Sequence, residues 1–252
     1  MALTLTVLNN KDIPMFDADS LGIYIRMFKN YTWLTLNHFT GGLSDPSKMP
    51  CHSYSISAKR CKVGSALRKV PGSTCSKCYA LKGRYVFPNV EEAMERRYKA
   101  MHANVNMWMA GMIHSILKST GKVHGQRYFR WHDSGDLQGY NHLLAIVAIA
   151  EHTPHVRHWL PTREYGLLRR FIVEGRILPD NLVIRVSLPM IGQTYGMRDW
   201  ENVSTVDLPK LPDNVQMDVS RVDCPAYTQG GKCGDCRSCW NRSVAVINYP
   251  LH

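Results

Sequence analysis

The sequence lacks any run of about 18 apolar residues, the length a helix needs to cross a bilayer, so no membrane span is expected. It lacks a basic stretch leading into a long apolar core at its start, Met-Ala-Leu-Thr-Leu-Thr-Val-Leu-Asn-Asn-Lys, so no export signal is read there. No run of five or more basic residues marks a nucleic-acid arm. Internal repeats, low-complexity tracts and linker-like segments are missing too, which favours a single domain over 1–252. These absences imply a reducing, cytoplasmic setting, where clustered cysteines hold metal more often than they form disulfides.

What is present begins with size and charge. The chain has 252 residues, 44% of them hydrophobic, enough to build the core of one α/β domain. Its net charge is +11, from 31 Lys and Arg against 20 Asp and Glu. That excess favours anionic partners such as nucleic acid, nucleotides or phosphorylated metabolites, although ordinary solubility charge accounts for it equally well.

Cysteine carries the strongest signal. Cys224, Cys233, Cys236 and Cys239 are spaced C-x8-C-x2-C-x2-C, with Gly230, Gly231 and Gly234 among them. A C-x2-C step lets two thiolates turn towards one centre, and glycine permits the unusual dihedrals of a tight metal loop. Iron–sulfur clusters are typically held by four thiolates and tetrahedral zinc uses the same ligands, so spacing leaves both metals open. Disulfides and buried free thiols are the plainer alternatives. A second region, 51–84, holds Cys51, Cys61, Cys75 and Cys78, the last two again one C-x2-C step apart in a loop bearing glycine and serine.

Periodicity supplies the frame. Residues 1–50 read as an N-terminal extension of short strands and turns, with Tyr31–Leu36 the best strand and 41–50 a loop. Helical patterns follow over Val90–Met101, starting at Pro88 or Asn89, and over Asn104–Leu117, whose methionines read as core filler. Strands are then expected at Gln126–Trp131, Val156–Leu160 and Leu182–Ser187, with helices at Gly139–His152 and Tyr165–Glu174 and a further strand at Gln216–Val219. The alternation implies an α/β fold with a parallel sheet, built as a partial or complete βα barrel with a cysteine-rich loop towards each end, 51–84 and 221–252.

In such sheets chemistry gathers at the carboxyl ends of the strands. Three polar groups fall there: His132-Asp-Ser-Gly-Asp136, Thr162-Arg-Glu164, and Arg185 with Ser187. His132, Asp133, Asp136 and Glu164 are the candidate acid–base residues, and Ser134, Arg163, Arg185 and Ser187 the candidate ligand-binding ones. Helix capping by Asp133, Asp136 and Thr162, with a structural His132, is the alternative. Three polar groups at successive strand ends favour a pocket.

Several long strings resemble the phage-encoded gene product 88 proteins: Ser53-Tyr-Ser-Ile, Gly72 to Tyr85, Phe129 to Leu137, Trp159 to Tyr165 and Cys233 to Trp240. The resemblance implies a protein at work in the cytoplasm of an infected host cell and says little about activity. More distantly, a C-x2-C-Tyr-Ala turn followed by strand-end motifs is similar to the layout of radical S-adenosylmethionine enzymes. That likeness implies that Cys61, Cys75 and Cys78 hold a 4Fe–4S cluster with one open iron, which S-adenosylmethionine chelates. It further implies an auxiliary cluster on Cys224, Cys233, Cys236 and Cys239, leaving Cys51 over. The spacing here is C-x13-C-x2-C where that superfamily usually has C-x3-C-x2-C, and no Gly-Gly-Glu-like stretch follows the next strand unless 132–136 takes its place. Convergence of both cysteine regions on one larger centre satisfies the count as well.

Three functions are therefore carried forward. The first is an iron–sulfur enzyme of radical or redox type, taking an anionic or zwitterionic, small or nucleotide-like substrate. The second is a zinc-stabilised, transglycosylase-like enzyme that modifies nucleic-acid bases, with Asp133 or Asp136 as nucleophile or acid–base. The third is a non-catalytic metal protein that binds nucleic acid through its charge and through Trp131, Trp159 and Trp240.

Overall fold

In the computed structural model, residues 12–119, 127–194, 200–207 and 220–251 are described. Where the sequence alternates apolar and polar residues with period two, strands form, and where the period lengthens, helices do. Chain order is α1 (Ala18–Phe28), α2 (Trp33–Thr40), β1 (Ser53–Tyr54), α3 (Val63–Leu67), α4 (Pro88–Ala103) and α5 (Val105–Ser119). It continues with β2 (Tyr128–Trp131), α6 (Tyr140–Glu151), β3 (Arg157–Thr162), α7 (Tyr165–Val173) and β4 (Leu182–Ser187). β5 (Val203–Val206), β6 (Arg221–Asp223) and β7 (Val246–Tyr249) complete it. All strand pairs are parallel, in the order β1-β2-β3-β4-β5-β7-β6. The α/β class is as expected, and among the described residues no helix is long and apolar enough to cross a membrane. The strand expected at Gln216–Val219 lies outside the described residues.

The N-terminal region departs from expectation. Tyr31–Leu36 is not a strand: α2 begins inside it, because the Thr32 hydroxyl accepts the Thr35 N–H at 3.2 Å and caps the helix. Leu36 is fully buried, and Phe39 packs on Phe28 with ring centroids 4.5 Å apart. Docking of α1 and α2 onto α5 outweighs the β-propensity of the stretch. At the far end Gly41 sits at φ 77°, where a Cβ would fall 2.7 Å from the backbone of Arg97, so only glycine lets α2 end so close to α4.

Each face of the sheet has its own cover. Tyr54, Phe129, Trp131, Leu160 and Ile184 belong to one apolar core with α5 and α6, whose burial supplies about 1.5–3 kcal/mol per large side chain. The opposite face carries Tyr128 and Trp159, packed with Cys51, Trp240, Cys239 and Tyr249 in a second, smaller cluster. The C-terminal cysteine segment thus covers the face the helices leave open, with the Trp240 indole donating to the Phe129 carbonyl at 2.9 Å.

Arg185 holds that segment in place. Its guanidinium is fully buried and donates to the carbonyls of Ser238, Cys239, Asn241 and Val244 at 2.8–3.0 Å. It was expected to bind a ligand at the strand end. It instead lies two residues short of that end, beneath the segment it grips, with each of its three nitrogens donating to a carbonyl of that segment.

Candidate active site at the strand ends

A cavity of about 340 Å³ opens at the carboxyl ends of the strands. Its floor is the sheet face away from the helices, contributed by Arg130, Trp159, Pro161, Ser187, Ser204 and Tyr249. Register pairs Arg130 with Trp159 and Ser187 with Ser204, and period-two alternation puts these side chains on one side. One wall is the first cysteine loop, with Cys61, Cys75, Cys78 and Tyr79, and another is the 132–136 turn.

The cysteine loop is shaped by short polar caps. The Ser73 hydroxyl accepts the Ser76 N–H at 3.1 Å and donates to the Leu67 carbonyl at 2.5 Å, turning the chain through Cys75 and Cys78. The Thr74 N–H donates to the Pro189 carbonyl at 2.8 Å, and Arg163 donates to the Thr74 hydroxyl, so this turn is tied to the ends of β4 and β3. Glu164 accepts the Val63 N–H at 3.0 Å and anchors the start of α3. Burial first, and then the neighbouring Asp136, push the Glu164 carboxyl up to about 7. Glu164 therefore acts on the loop and does not line the cavity.

Asp133 and Asp136 line the cavity but do not cap α6, whose N-cap is Gly139. Asp136 accepts the N–H groups of Leu137 and Arg163, each at 2.8 Å, and the Thr162 hydroxyl at 2.5 Å, latching the β2 turn to the end of β3. Burial raises its pKa, while these three bonds oppose the rise. Asp133 accepts the hydroxyls of Ser53 at 2.6 Å and Tyr85 at 3.2 Å, joining β2 to β1 and the first cysteine loop.

His132 takes φ 52°, a strained position for a residue other than glycine. Both its ring nitrogens are buried without a partner among the described residues, and burial, aided by Arg130, lowers its pKa to about 3. It stays neutral, edge-on to His142 at 5.4 Å. Gly135 is fixed by a close approach: at φ 82° its added Cβ would lie 2.4 Å from the Ile56 side chain. Ser134 and Ser187 also line the cavity, and the Ser187 hydroxyl accepts that of Ser204 at 3.0 Å.

All eight thiols are free. Burial pushes up Cys61 and Cys75; Asp136, Cys78 and Cys75 add to it at Cys61, and Cys78 and Asp136 add to it at Cys75 against Arg163. In the second group burial likewise raises Cys224 and Cys233, and takes Cys239 up to about 11, against a 3.3 Å contact with the Tyr249 hydroxyl. Cys51 is raised to about 12 by burial, against the neighbouring Arg130. Among the described residues, no three Cys, His, Asp or Glu side chains stand together as a ready ion site. Each set of thiols shares a neighbourhood without a formed coordination sphere.

The chain matches the gene product 88 family over residues 26–242. It belongs to that phage family. The gene product 88 match takes in all eight cysteines, the whole 132–136 turn and every strand except β7. No curated protein and no solved structure matches this gene product 88 chain, so the likeness to radical S-adenosylmethionine enzymes rests on its residues alone. Sequence reasoning missed Arg68, Arg130, Tyr79 and Tyr249 of the cavity. Arg130 had a usable signal: flanked by Phe129 and Trp131 in one strand, it must point away from the core that they enter.

Proposed function

We propose that this gene product 88 protein is an iron–sulfur enzyme, with a cluster held by Cys61, Cys75 and Cys78 in the mouth of a partial βα barrel, acting on a small or nucleotide-like substrate. The observation that carries the reading is the shared cavity: the three thiols of the loop after β1 line the same space as the strand-end residues Asp136, Arg163 and Ser187. The donor set fits. Soft thiolates suit iron–sulfur clusters, and three of them leave one position for a ligand. At Gly64 a Cβ would lie 3.6 Å from the Cys75 sulfur and 3.7 Å from that of Cys61, so the missing side chain leaves room between the two thiols. When bound, such a cluster supplies one-electron transfer and an open iron.

The chain's own residues support that use. Arg163 ties the Cys75 turn to the end of β3, so a ligand on Arg163 is positioned relative to the thiols. Asp136 fixes the Arg163 backbone, and Glu164 fixes the start of α3, one turn from Cys61. Trp159, Pro161 and Tyr79 line the cavity and give it apolar surface. Cys224, Cys233, Cys236 and Cys239 are proposed to hold a second, closed centre on the sheet face.

Protein purified without oxygen is expected to be brown, with broad absorbance near about 400 nm and iron matched by acid-labile sulfide. A colourless protein carrying zinc in place of iron contradicts the proposal and favours the zinc-stabilised reading.

A further inference from the structure

The cavity treats its acids and its cations differently. Every carboxylate oxygen of Asp133 and Asp136 already accepts a protein hydrogen bond. Donors of the same cavity do not: besides His132 and the Ser134 hydroxyl, the Nε atoms of Arg68, Arg130 and Arg163 and the indole nitrogen of Trp159 are buried without a partner among the described residues. Buried donors are nearly always paired, so three guanidinium groups and an indole left open around one space mark an unmet need for acceptors.

The remaining contacts of these arginines are with neutral groups. Arg68 donates to the Ala58 carbonyl at 3.3 Å, Arg130 reaches the Met49 sulfur at 3.2 Å, and Arg163 donates to the Thr74 hydroxyl. None of the three forms an ion pair among the described residues, whereas Arg60, Arg170 and Arg176 each pair with a glutamate. Asp133 favours the charge on Arg130, but its own oxygens are held by Ser53 and Tyr85. Arg130 also lies over the Trp159 ring, 4.4 Å from its centroid, which sets the guanidinium beside the free indole N–H. Pro161, Val206 and Pro250 give the same cavity apolar wall.

We infer that Arg68, Arg130, Arg163 and the Trp159 N–H form an oxyanion subsite, which takes the carboxylate or phosphate of a ligand whose body packs on the apolar wall. Guanidinium forks match both anions in geometry and charge. The inference deepens the reading of this cavity as the substrate site. It rests on the cavity and needs no cluster.

The test is calorimetric titration of the whole chain with inorganic phosphate, and separately with acetate, at ionic strength held constant with chloride. Saturable one-to-one binding of at least one anion is expected. Phosphate alone assigns a phosphate ester, acetate alone a carboxylate, and either result supports the subsite. Arg163→Gln and Arg130→Lys should each weaken binding by about tenfold to a hundredfold, as loss of a charge-assisted bond does. The titration is read on the chain as purified, with its iron content measured beside it, so a failed cluster assignment leaves this result standing. No saturable binding of either anion up to about 10 mM, or equal binding by both arginine variants, overturns the inference even in a protein full of iron.

Discussion

The Cys75→Ala, Cys78→Ala variant is expected to lose about four irons per chain, the content of one 4Fe–4S cluster, and to lose turnover with them. Its fold should survive. The turn that carries both cysteines is held by Ser73, by the Thr74 N–H on the Pro189 carbonyl and by Arg163, none of which involves sulfur. Iron on the second cysteine set should remain, because that set is carried by Arg185 and Trp240 on a different part of the sheet face. Iron and sulfide analysis beside a circular dichroism spectrum checks both halves. Unchanged iron in a folded variant returns Cys75 and Cys78 to ordinary buried thiols.

Arg185→Leu is expected to have the largest effect on stability. The side chain fits the strand, but four carbonyls of residues 238–244 lose their donor inside the protein. Breaking a buried, charge-assisted set of this kind costs about 3–5 kcal/mol, which corresponds to a melting temperature lower by roughly 10 °C in a chain of this size. Lysine should not rescue it, because one ammonium cannot reproduce a fork that meets four carbonyls. Thermal melting of both variants decides the matter, and a fall of under about 2 °C would remove Arg185 as the anchor of the cysteine segment.

The parts of the fold legible in the sequence are those with local periodicity. Leu182–Ser187 is a strand with the expected bounds, and the helices over 88–103, 105–119, 140–151 and 165–173 follow their apolar patterns. β1 and β6, of two and three residues, are too short to show alternation. α1 and α2 escaped because tertiary docking on α5 decides them, although Thr32 and Gly41 were cap signals at hand. At the site, strand-end clustering grouped Asp133, Asp136, Ser134, Ser187 and Arg163, and these residues line one cavity beside Cys61, Cys75 and Cys78. It misplaced Arg185 and Glu164, since nothing local separates an arginine facing a ligand from one facing carbonyls 53 to 59 residues further on. The acid–base expectation for Asp136 meets a carboxylate already holding three donors, a partnership that depends on where β3 ends.

Crystals grown without oxygen and measured on both sides of the iron and zinc absorption edges test the central claim most directly. The account predicts an anomalous peak at the iron edge inside the strand-end cavity, in contact with Cys61, Cys75 and Cys78. A cavity with no iron signal, while zinc signal sits on the cysteines, would contradict it.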